Sequence, residues 1–245
     1  MTDLYFDASQ AGVAGDMLLS SLVSLGADPI SIEQRLSPLS DDLPIKLQFS
    51  PVSRCGVAAL HFSLVEPYPE FRHHSYVDII KLIQDAQFTS FVSHLAMAIF
   101  TVIGEAEAKI HQVPIEEVHF HEVGAIDSIV DVIGVALALE QLKIDHIYSS
   151  YLALGYGNLD CSHGRYPVPA PATLEILQSV PVLGGQVPFE LTTPTGAAIL
   201  KVLVQSYTQG LPSMHIEKIG YGAGTRDIPN IPNVLRAIQG RFNGA

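Results

Sequence analysis

The pattern of apolar and polar positions predicts short strands alternating with helices along the whole chain. Near the start, Leu4-Tyr5-Phe6 predicts a buried strand, and a loop of small residues leads from it into a helix over 16–25. An apolar stripe with helical spacing predicts the longest helix from about Thr89 to His111. Another helix, opened by Asp127, leads directly into a strand over 144–150. This alternation is typical of the α/β class.

The segment 151–171 differs from the rest of the chain. It carries three glycines and three prolines, and a long irregular segment in a compact domain is usually functional. We predict one α/β domain with a mixed sheet and flanking helices over 1–240, with room for a subdivision near 66–75 and a tail over 241–245. The other predicted elements are a helix over 29–39, paired strands over 45–49 and 58–65, helices starting at Ser75 and over 172–178 and 197–204, a strand over 215–219, a glycine-rich turn over 220–224 and a strand over 234–238.

The densest group of reactive side chains lies in the stretch His119 to Gly134, HFHEVGAIDSIVDVIG. Two imidazoles and three carboxylates lie there among apolar residues, where burying an unpaired charge is costly. His119 and His121 would project from the same side of an extended strand, and Asp127 is predicted to be the N-cap of the following helix. Because that helix is apolar on nearly all sides, Asp131 has to be paired, capped or bound to a metal.

Imidazoles and carboxylates at this density predict a site for a divalent metal ion. Imidazole suits nickel, zinc, copper or iron. The order H-x-H-E differs from the H-E-x-x-H of a metalloprotease helix, and no closely spaced cysteines support a structural zinc site. The alternative is a buried polar network in which Asp127 caps the helix and Asp131 fixes a histidine tautomer. The predicted ligands are His119, His121, Glu122, Asp127 and Asp131.

A further pair of imidazoles, His73 and His74, follows a proline-broken loop. Adjacent histidines before a helix serve either as mobile metal ligands or as solvated surface. The residues alone leave both interpretations open.

The first strand and the helix after it are joined by a loop with the composition of an anion site. The strand ends at Asp7, and the chain passes Ser9 and Gly12 before the helix starts near Gly15 and Asp16. Backbone N–H groups in such loops approach phosphates closely. The loop lacks the lysine of a Walker A motif and the GxGxxG spacing, so a tight turn with Asp16 as helix cap is the alternative. Asp7 is the more suggestive residue, because ligands in open α/β sheets gather at the carboxyl ends of strands.

A second candidate anion site precedes the helix over 197–204. Thr193 or Thr195 can cap this helix, and the amides near Gly196 are exposed at its start. Farther along the chain, Arg226 supplies a fixed cation that suits a carboxylate or a phosphate.

The charge balance narrows the classes of partner. The 245 residues carry 13 Lys and Arg against 25 Asp and Glu, a net charge of −12, which disfavours nucleic acid and an anionic membrane surface. An anionic substrate therefore needs a local site. The apolar runs are broken before membrane-spanning length, and two cysteines without a charged-then-apolar leader predict a reducing, cytoplasmic setting.

Five long motifs carry a resemblance to a known family. In chain order they are LYFDASQAGVAGDMLL, HFHEVGAIDSIVDVIG, CSHGRYPVPAPATLEIL, LTTPTGAAILK and EKIGYGAGTRDIPNIPNVLR. They closely resemble the N-terminal portion of the LarC family, the nickel-inserting proteins of nickel-pincer cofactor synthesis. The resemblance implies a nickel chelatase of the lyase class, a cyclometallase, acting on pyridinium-3,5-bisthiocarboxylic acid mononucleotide. Nickel would be installed through one carbon–nickel and two sulfur–nickel bonds, with CTP and a divalent ion such as Mn or Mg.

The resemblance also implies roles for the residues named above. The histidines and carboxylates from His119 to Asp131 are expected to hold or pass on the nickel, and Asp131 or His163 to accept the ring proton that nickel displaces. The residues expected to position the substrate are Asp7, Ser9, Gly12, Gly15, Asp16, Thr193, Thr195, Gly196 and Arg226.

Two departures from the family pattern leave alternatives open. The family's longer histidine run is reduced here to His73 and His74, and its nucleotide-handling C-terminal region has no counterpart. A separate CTP-binding partner could supply that region. The chain could also be a non-catalytic nickel- or cofactor-binding subunit or, if the resemblance misleads, a metal-dependent phosphoester hydrolase. Assembly as a homo-oligomer is left open.

Overall fold

The computed structural model describes residues 2–40, 43–67, 75–120, 125–161, 164–185 and 187–242. The strands in this part of the chain are β1 (Asp3–Asp7), β2 (Leu47–Arg54), β3 (Val57–Leu64), β4 (His146–Ser150), β5 (Leu152–Ala153), β6 (Asn158–Cys161), β7 (Gly164–Pro167), β8 (Val182–Leu183), β9 (Ser206–Thr208), β10 (Met214–Ala223) and β11 (Val234–Phe242). The helices are α1 (Gly15–Leu25), α2 (Pro29–Leu36), α3 (Tyr76–Asp85), α4 (Ser90–His111), α5 (Ile126–Leu142), α6 (Pro171–Ile176) and α7 (Pro194–Leu203), with 3-10 turns at Ser37–Leu39 and Ile115–Glu117.

A mixed seven-stranded sheet forms the centre of the fold, in the order β2-β3-β10-β11-β1-β4-β9. β1 runs parallel to β4 and antiparallel to β11, and β3 and β10 are also parallel. β1 lies inside the sheet between β11 and β4, and its residues Leu4, Tyr5 and Phe6 are completely buried. The prediction of an α/β fold with a mixed sheet and flanking helices is confirmed.

The predicted turn over 220–224 is wrong, because β10 continues through these residues to Ala223. A Cβ atom on Gly222 would lie 2.0 Å from the carbonyl oxygen of Met17 in α1. Glycine therefore lets α1 pack directly on the backbone of β10. Its role here is helix–sheet packing rather than chain reversal.

The segment 151–171 is more regular than predicted. It contains the short strand β5, which pairs with β8, and the hairpin formed by β6 and β7. Isolated two-stranded pairs are missed by pattern analysis because their residues show little alternation of burial.

α4 is the exception to the expectation that apolar runs stop short of membrane-spanning length. Its 22 residues, with a mean hydropathy of 1.3 over the most apolar window, are enough by length and composition to cross a membrane. Core helices of folded domains meet the same criteria. α4 packs against α3, α5, α6 and α7, and Val92, Ile99 and Ile103 are completely buried.

Candidate functional site

A cavity of about 630 Å³ opens at the carboxyl ends of the parallel neighbours β3 and β10. The first residues of α1, α5 and α7 line its other side. Strand ends of this kind are where α/β folds bind ligands. Seven of the predicted site residues line this cavity, namely Gly15, Asp16, Asp127, Asp131, Thr193, Thr195 and Arg226.

Three helices begin at this cavity. α1 starts after Ala14, α5 after Ala125 and α7 after Thr193. Thr193 caps its helix with a side chain, because its Oγ1 accepts the Gly196 N–H at 3.2 Å. The predicted cap on this helix is therefore confirmed for Thr193. Each helix N-terminus carries about half a positive charge, so three of them together favour anionic groups at the same place.

The predicted cap Asp127 and the alternative cap Asp16 are both wrong. Asp16 and Asp127 lie in the first turns of α1 and α5, two positions after the N-caps Ala14 and Ala125. Each carboxylate instead accepts a hydrogen bond from the next backbone N–H, of Met17 at 2.8 Å and of Ser128 at 2.9 Å. Carboxylates in the first turn still interact favourably with the positive end of the helix.

Glycines allow the helix starts to approach one another closely. A Cβ atom on Gly15 would lie 2.4 Å from Oδ2 of Asp131, and one on Gly196 would lie 2.3 Å from the Val13 carbonyl oxygen. The same carbonyl accepts the Thr193 N–H at 3.0 Å. A larger residue at position 15 or 196 would push the helix starts apart.

Asp131, in the second turn of α5, is the unsatisfied carboxylate of the site. Its Oδ1 is closed off from solvent and has no hydrogen-bond partner among the described residues. Burial raises the pKa of Asp131 well above its usual range, and the Asp16 and Asp127 carboxylates raise it further. A buried polar atom without a partner destabilises a fold. Such a group is typical of a position that binds a proton, a cation or a ligand atom.

His61 and Thr225 join Asp16 on one side of the cavity. Thr225 Oγ1 donates to Asp16 Oδ2 at 3.4 Å, and His61 Nε2 lies 3.4 Å from the same Oγ1. Burial raises the pKa of Asp16, whereas the Met17 N–H, the His61 ring and the Thr225 hydroxyl act in the opposite direction. The net result is a raised pKa.

Arg226 presents a cation to the same space. Its guanidinium carbon lies 5.4 Å from the centre of the Phe189 ring. Contact through the flat face leaves the N–H edges available to an anion. Buried Asn233 supports this loop, since its Nδ2 donates to the Arg226 carbonyl at 3.0 Å and its own carbonyl accepts the Gly224 N–H at 3.0 Å.

The sequence patterns did not indicate several polar residues that line the cavity, among them His61, Glu190, Thr225 and Asn233. His61 lies on a strand whose alternation predicts only a paired β-structure. It reaches the cavity because β3 pairs with β10, which lies far away in the sequence. Neither this pairing nor the hydrogen bonds of Asn233 leave a local pattern in the sequence.

Several predicted substrate residues lie outside this lining. Asp7 Oδ1 accepts the Ser9 N–H at 3.2 Å and the Ser9 hydroxyl at 2.6 Å, and Oδ2 pairs with Arg236. Burial alone would raise the pKa of Asp7, but the hydrogen bonds from Ser9 and Arg236 outweigh it and lower the pKa. Gly12, with a φ of 65°, packs against Leu191. The substrate-binding roles of Asp7, Ser9, Gly12 and Gly196 stay predictions.

The predicted metal ligands are only partly described. His119 is exposed, and its backbone forms an isolated bridge with Ser75. In the described ranges, no three His, Cys, Asp or Glu side chains are grouped closely enough to hold a metal ion. The histidine metal site therefore stays a prediction. The predicted residues that lie outside the described ranges are His73, His74, His121, Glu122 and the predicted base His163.

Comparison with known proteins decides the family. The sequence pattern of a family described as nickel insertion protein matches residues 4–244. The chain belongs to this family. The resemblance seen in the five motifs is thereby confirmed.

Several curated members of the nickel insertion family are about half identical to this chain. Those named pyridinium-3,5-bisthiocarboxylic acid mononucleotide nickel insertion protein include three from different species. The Geobacillus kaustophilus protein is 49% identical over 98% of this chain and 60% of its own length. The Staphylococcus epidermidis protein is 50% identical over 96% of this chain and 58% of its own length. The Staphylococcus saprophyticus protein is 48% identical over 96% of this chain and 59% of its own length. The chain thus spans about 60% of these relatives. No solved structure matches it.

Four of the five motifs that resemble the nickel insertion family meet at the cavity. The first contributes Asp16, the second Asp127 and Asp131, the fourth Thr193, and the fifth Arg226. Residues spread over most of the chain thus converge on one concave site.

Proposed function

We propose that this chain inserts nickel into pyridinium-3,5-bisthiocarboxylic acid mononucleotide, the activity for which its curated relatives are named. The observation that carries the proposal is one cavity that joins three helix N-termini to a buried carboxylate, Asp131, whose Oδ1 has no hydrogen-bond partner among the described residues. The carboxylate suits a cation or a proton. The helix N-termini suit the anionic groups of the substrate.

The phosphate and thiocarboxylate groups would bind at the positive ends of the helix dipoles and at Arg226. The first residues of α1 and α7 and the side chain of Arg226 line the cavity. A volume of about 630 Å³ lies within the range of pockets that enclose small molecules, about 300 to 1,000 Å³. Local positive charge of this kind lets an acidic protein bind an anionic substrate.

Nickel would meet an incomplete set of protein ligands. Asp127 and Asp131 lie on α5, and His119, His121 and Glu122 precede this helix in the sequence. We assign capture of nickel to these histidines, assisted by His73 and His74. We assign receipt of nickel in the cavity to the carboxylates of Asp127 and Asp131, together with that of Asp16, which lines the same cavity. The substrate itself supplies two sulfur atoms and one carbon atom. A metal that must be transferred is better held by few protein ligands than by a closed set.

Insertion requires a base. The C–H electron pair of the ring carbon forms the carbon–nickel bond, nickel keeps its oxidation state, and the displaced proton goes to a protein group. Asp131 is suited to receive it, because a carboxyl group with a raised pKa holds a proton nearer to neutral pH. His163 is the second predicted acceptor. This chemistry corresponds to a cyclometallase of the lyase class.

CTP and a divalent ion such as Mn or Mg belong to the proposal as co-reactants. The described residues hold no group of three His, Cys, Asp or Glu side chains for such an ion, so we assign it no protein ligands. We assign CTP to the portion of the relatives that this chain does not match, or to a partner that provides it. Cytoplasmic location and a homo-oligomeric state stay predictions.

Nickel binding and product formation test the proposal together. Equilibrium dialysis compares wild type with Asp131→Asn, with a His119→Ala/His121→Ala double variant and with Asp85→Asn, an exposed aspartate on α3, as matched control. Mass spectrometry then follows replacement of the ring proton by nickel. We expect Asp131→Asn to slow insertion by about 100-fold or more, the usual contribution of a general base. An unchanged rate of insertion by Asp131→Asn would refute Asp131 as the proton acceptor. Unchanged nickel binding by the histidine variant would refute His119 and His121 as nickel ligands.

The partial match to the relatives favours one alternative, a nickel- or cofactor-binding subunit that needs a CTP-handling partner. Incubating the purified chain with substrate, nickel and CTP separates the two functions. Turnover by the chain alone excludes the binding subunit. Binding of nickel and substrate without turnover by the chain alone, with turnover once a CTP-handling partner is added, supports it.

A further inference from the structure

His61, Thr225 and Asp16 form a hydrogen-bonded row along one side of the cavity. They come from β3, from the loop after β10 and from the first turn of α1. The two links of the row, His61 Nε2 to Thr225 Oγ1 and Thr225 Oγ1 to Asp16 Oδ2, are each 3.4 Å long. His61 lies opposite Ala223 in the parallel β3–β10 pair, so the strand register brings His61 and Thr225 together.

The donors determine the direction of the hydrogen bonds. Asp16 Oδ1 accepts the Met17 N–H at 2.8 Å, and Oδ2 accepts the Thr225 hydroxyl. A threonine hydroxyl has one proton, so with that proton on Asp16 its oxygen accepts from His61. Nε2 of His61 therefore carries a proton. The row runs in one direction, from the imidazole to the carboxylate.

This arrangement fixes the orientation of Asp16 at both oxygens. Without Thr225, only the local bond from Met17 would restrain the Asp16 carboxylate, and its terminal torsion angle is intrinsically broad. The orientation matters because Asp16 and Asp131 line the same cavity. A rotated Asp16 would no longer direct Oδ2 along the cavity side.

We propose that Thr225 and His61 are positioning residues that hold the Asp16 carboxylate in the orientation that receives nickel. The proposal rests on the proposed function, in which nickel enters this cavity. His61 acts through Thr225, and Thr225 acts through Asp16. Neither residue needs to contact the reacting atoms.

Titration calorimetry with nickel chloride on the whole chain tests the row. Thr225→Val keeps the shape of the side chain but removes the hydroxyl, and His61→Leu removes the donor. We expect each to weaken nickel binding by about 3- to 10-fold, the worth of one hydrogen bond. Thr225→Ser and His61→Gln keep a donor at the same place and are expected to restore most of the affinity. His94→Leu, on α4 and away from the cavity lining, is the matched control.

A double-mutant cycle separates positioning from general structural support. Asp16→Asn is expected to weaken nickel binding at least as much as Thr225→Val, and adding Thr225→Val to Asp16→Asn is expected to have no further effect. Additive effects, or no rescue by Thr225→Ser, would overturn the inference. If Asp16→Asn weakens binding while Thr225→Val does not, the inference fails and the proposed function stands. If Asp16→Asn leaves binding unchanged, both the inference and the assignment of nickel to this side of the cavity fail.

Discussion

Two aspartates at the same end of the sheet show opposite environments. Asp7, at the end of β1, has both carboxylate oxygens engaged, by Ser9 and by Arg236. Asp131, at the cavity, has one buried oxygen with no partner in the part of the chain that the structure describes, and two further carboxylates lie nearby. The pKa of Asp7 is lowered, whereas that of Asp131 is raised. A paired carboxylate stabilises the fold, and an unpaired one is retained where binding or catalysis needs it.

This contrast favours Asp131 over Asp7 as the functional aspartate, whereas the sequence pattern favoured Asp7 at the strand end. Position at a strand end made Asp7 the more suggestive residue, but its hydrogen bonds are those of a structural ion pair. Asp131 is the residue whose environment calls for a ligand. Position in the fold is therefore a weaker guide to function than the satisfaction of polar atoms.

The largest expected effect comes from moving Asp131 without changing its charge. In Gly15→Ala the added methyl would overlap the Asp131 carboxylate, so we expect a loss of about 3 kcal/mol in the free energy of unfolding. For a chain of this size that lowers the melting temperature by about 6 to 12 °C. Gly184→Ala, where nothing lies within 4 Å of the new Cβ, is the matched control. Equal melting temperatures for the two variants would contradict the close approach of α1 and α5.

Removing the charge of Asp7 is expected to have the next largest effect. Asp7→Asn loses charge-assisted hydrogen bonds, so it should destabilise the fold by about 2 kcal/mol near neutral pH. The lowered pKa means that this stability is present above about pH 4 and is lost as the pH falls through the folded-state pKa. Urea unfolding of wild type and Asp7→Asn across this pH range measures the difference between their free energies of unfolding. If this difference stayed constant down to acidic pH, the ion pair could not be its source.

Asp131→Asn is expected to raise the free energy of unfolding near neutral pH, and by less than Asp7→Asn lowers it. The raised pKa keeps Asp131 protonated in the folded protein at pH values where the unfolded chain ionises. Wild-type stability therefore falls as the pH rises from about 4 to the folded-state pKa. Asparagine does not titrate, so the variant should gain about 1 kcal/mol near neutral pH and nothing below about pH 4. Thermal unfolding of both proteins against pH tests this, and a destabilised variant at neutral pH would contradict an unpaired carboxylate.

Local patterns predicted much of the fold. The buried strand β1, the helix α1 and the threonine cap of α7 follow from residues adjacent in the sequence. The interpretation of Gly220 to Gly224 as a turn failed because glycine has two uses, chain reversal and close packing. Only the position of α1 against Gly222 decides between them.

The site was predictable where its residues lie at element ends. Asp16, Thr193 and Arg226 stand beside loops and helix starts, and the cavity includes all three. His61 was missed because it joins the site through strand pairing. Asp127 was predicted to be the N-cap, but the N-cap of α5 is Ala125, two residues earlier. Helix boundaries are the feature that a sequence pattern defines least well.

The most direct test of the account is to locate nickel. A crystal of the chain soaked with nickel and a pyridinium carboxylate mononucleotide, measured at the nickel absorption edge, gives the metal position independently of activity. We predict an anomalous peak within bonding distance of the Asp131 carboxylate, with the phosphate of the mononucleotide at the helix starts near Thr193. A single peak at the histidines, with Asp131 still unpartnered and no mononucleotide in the cavity, would contradict the account.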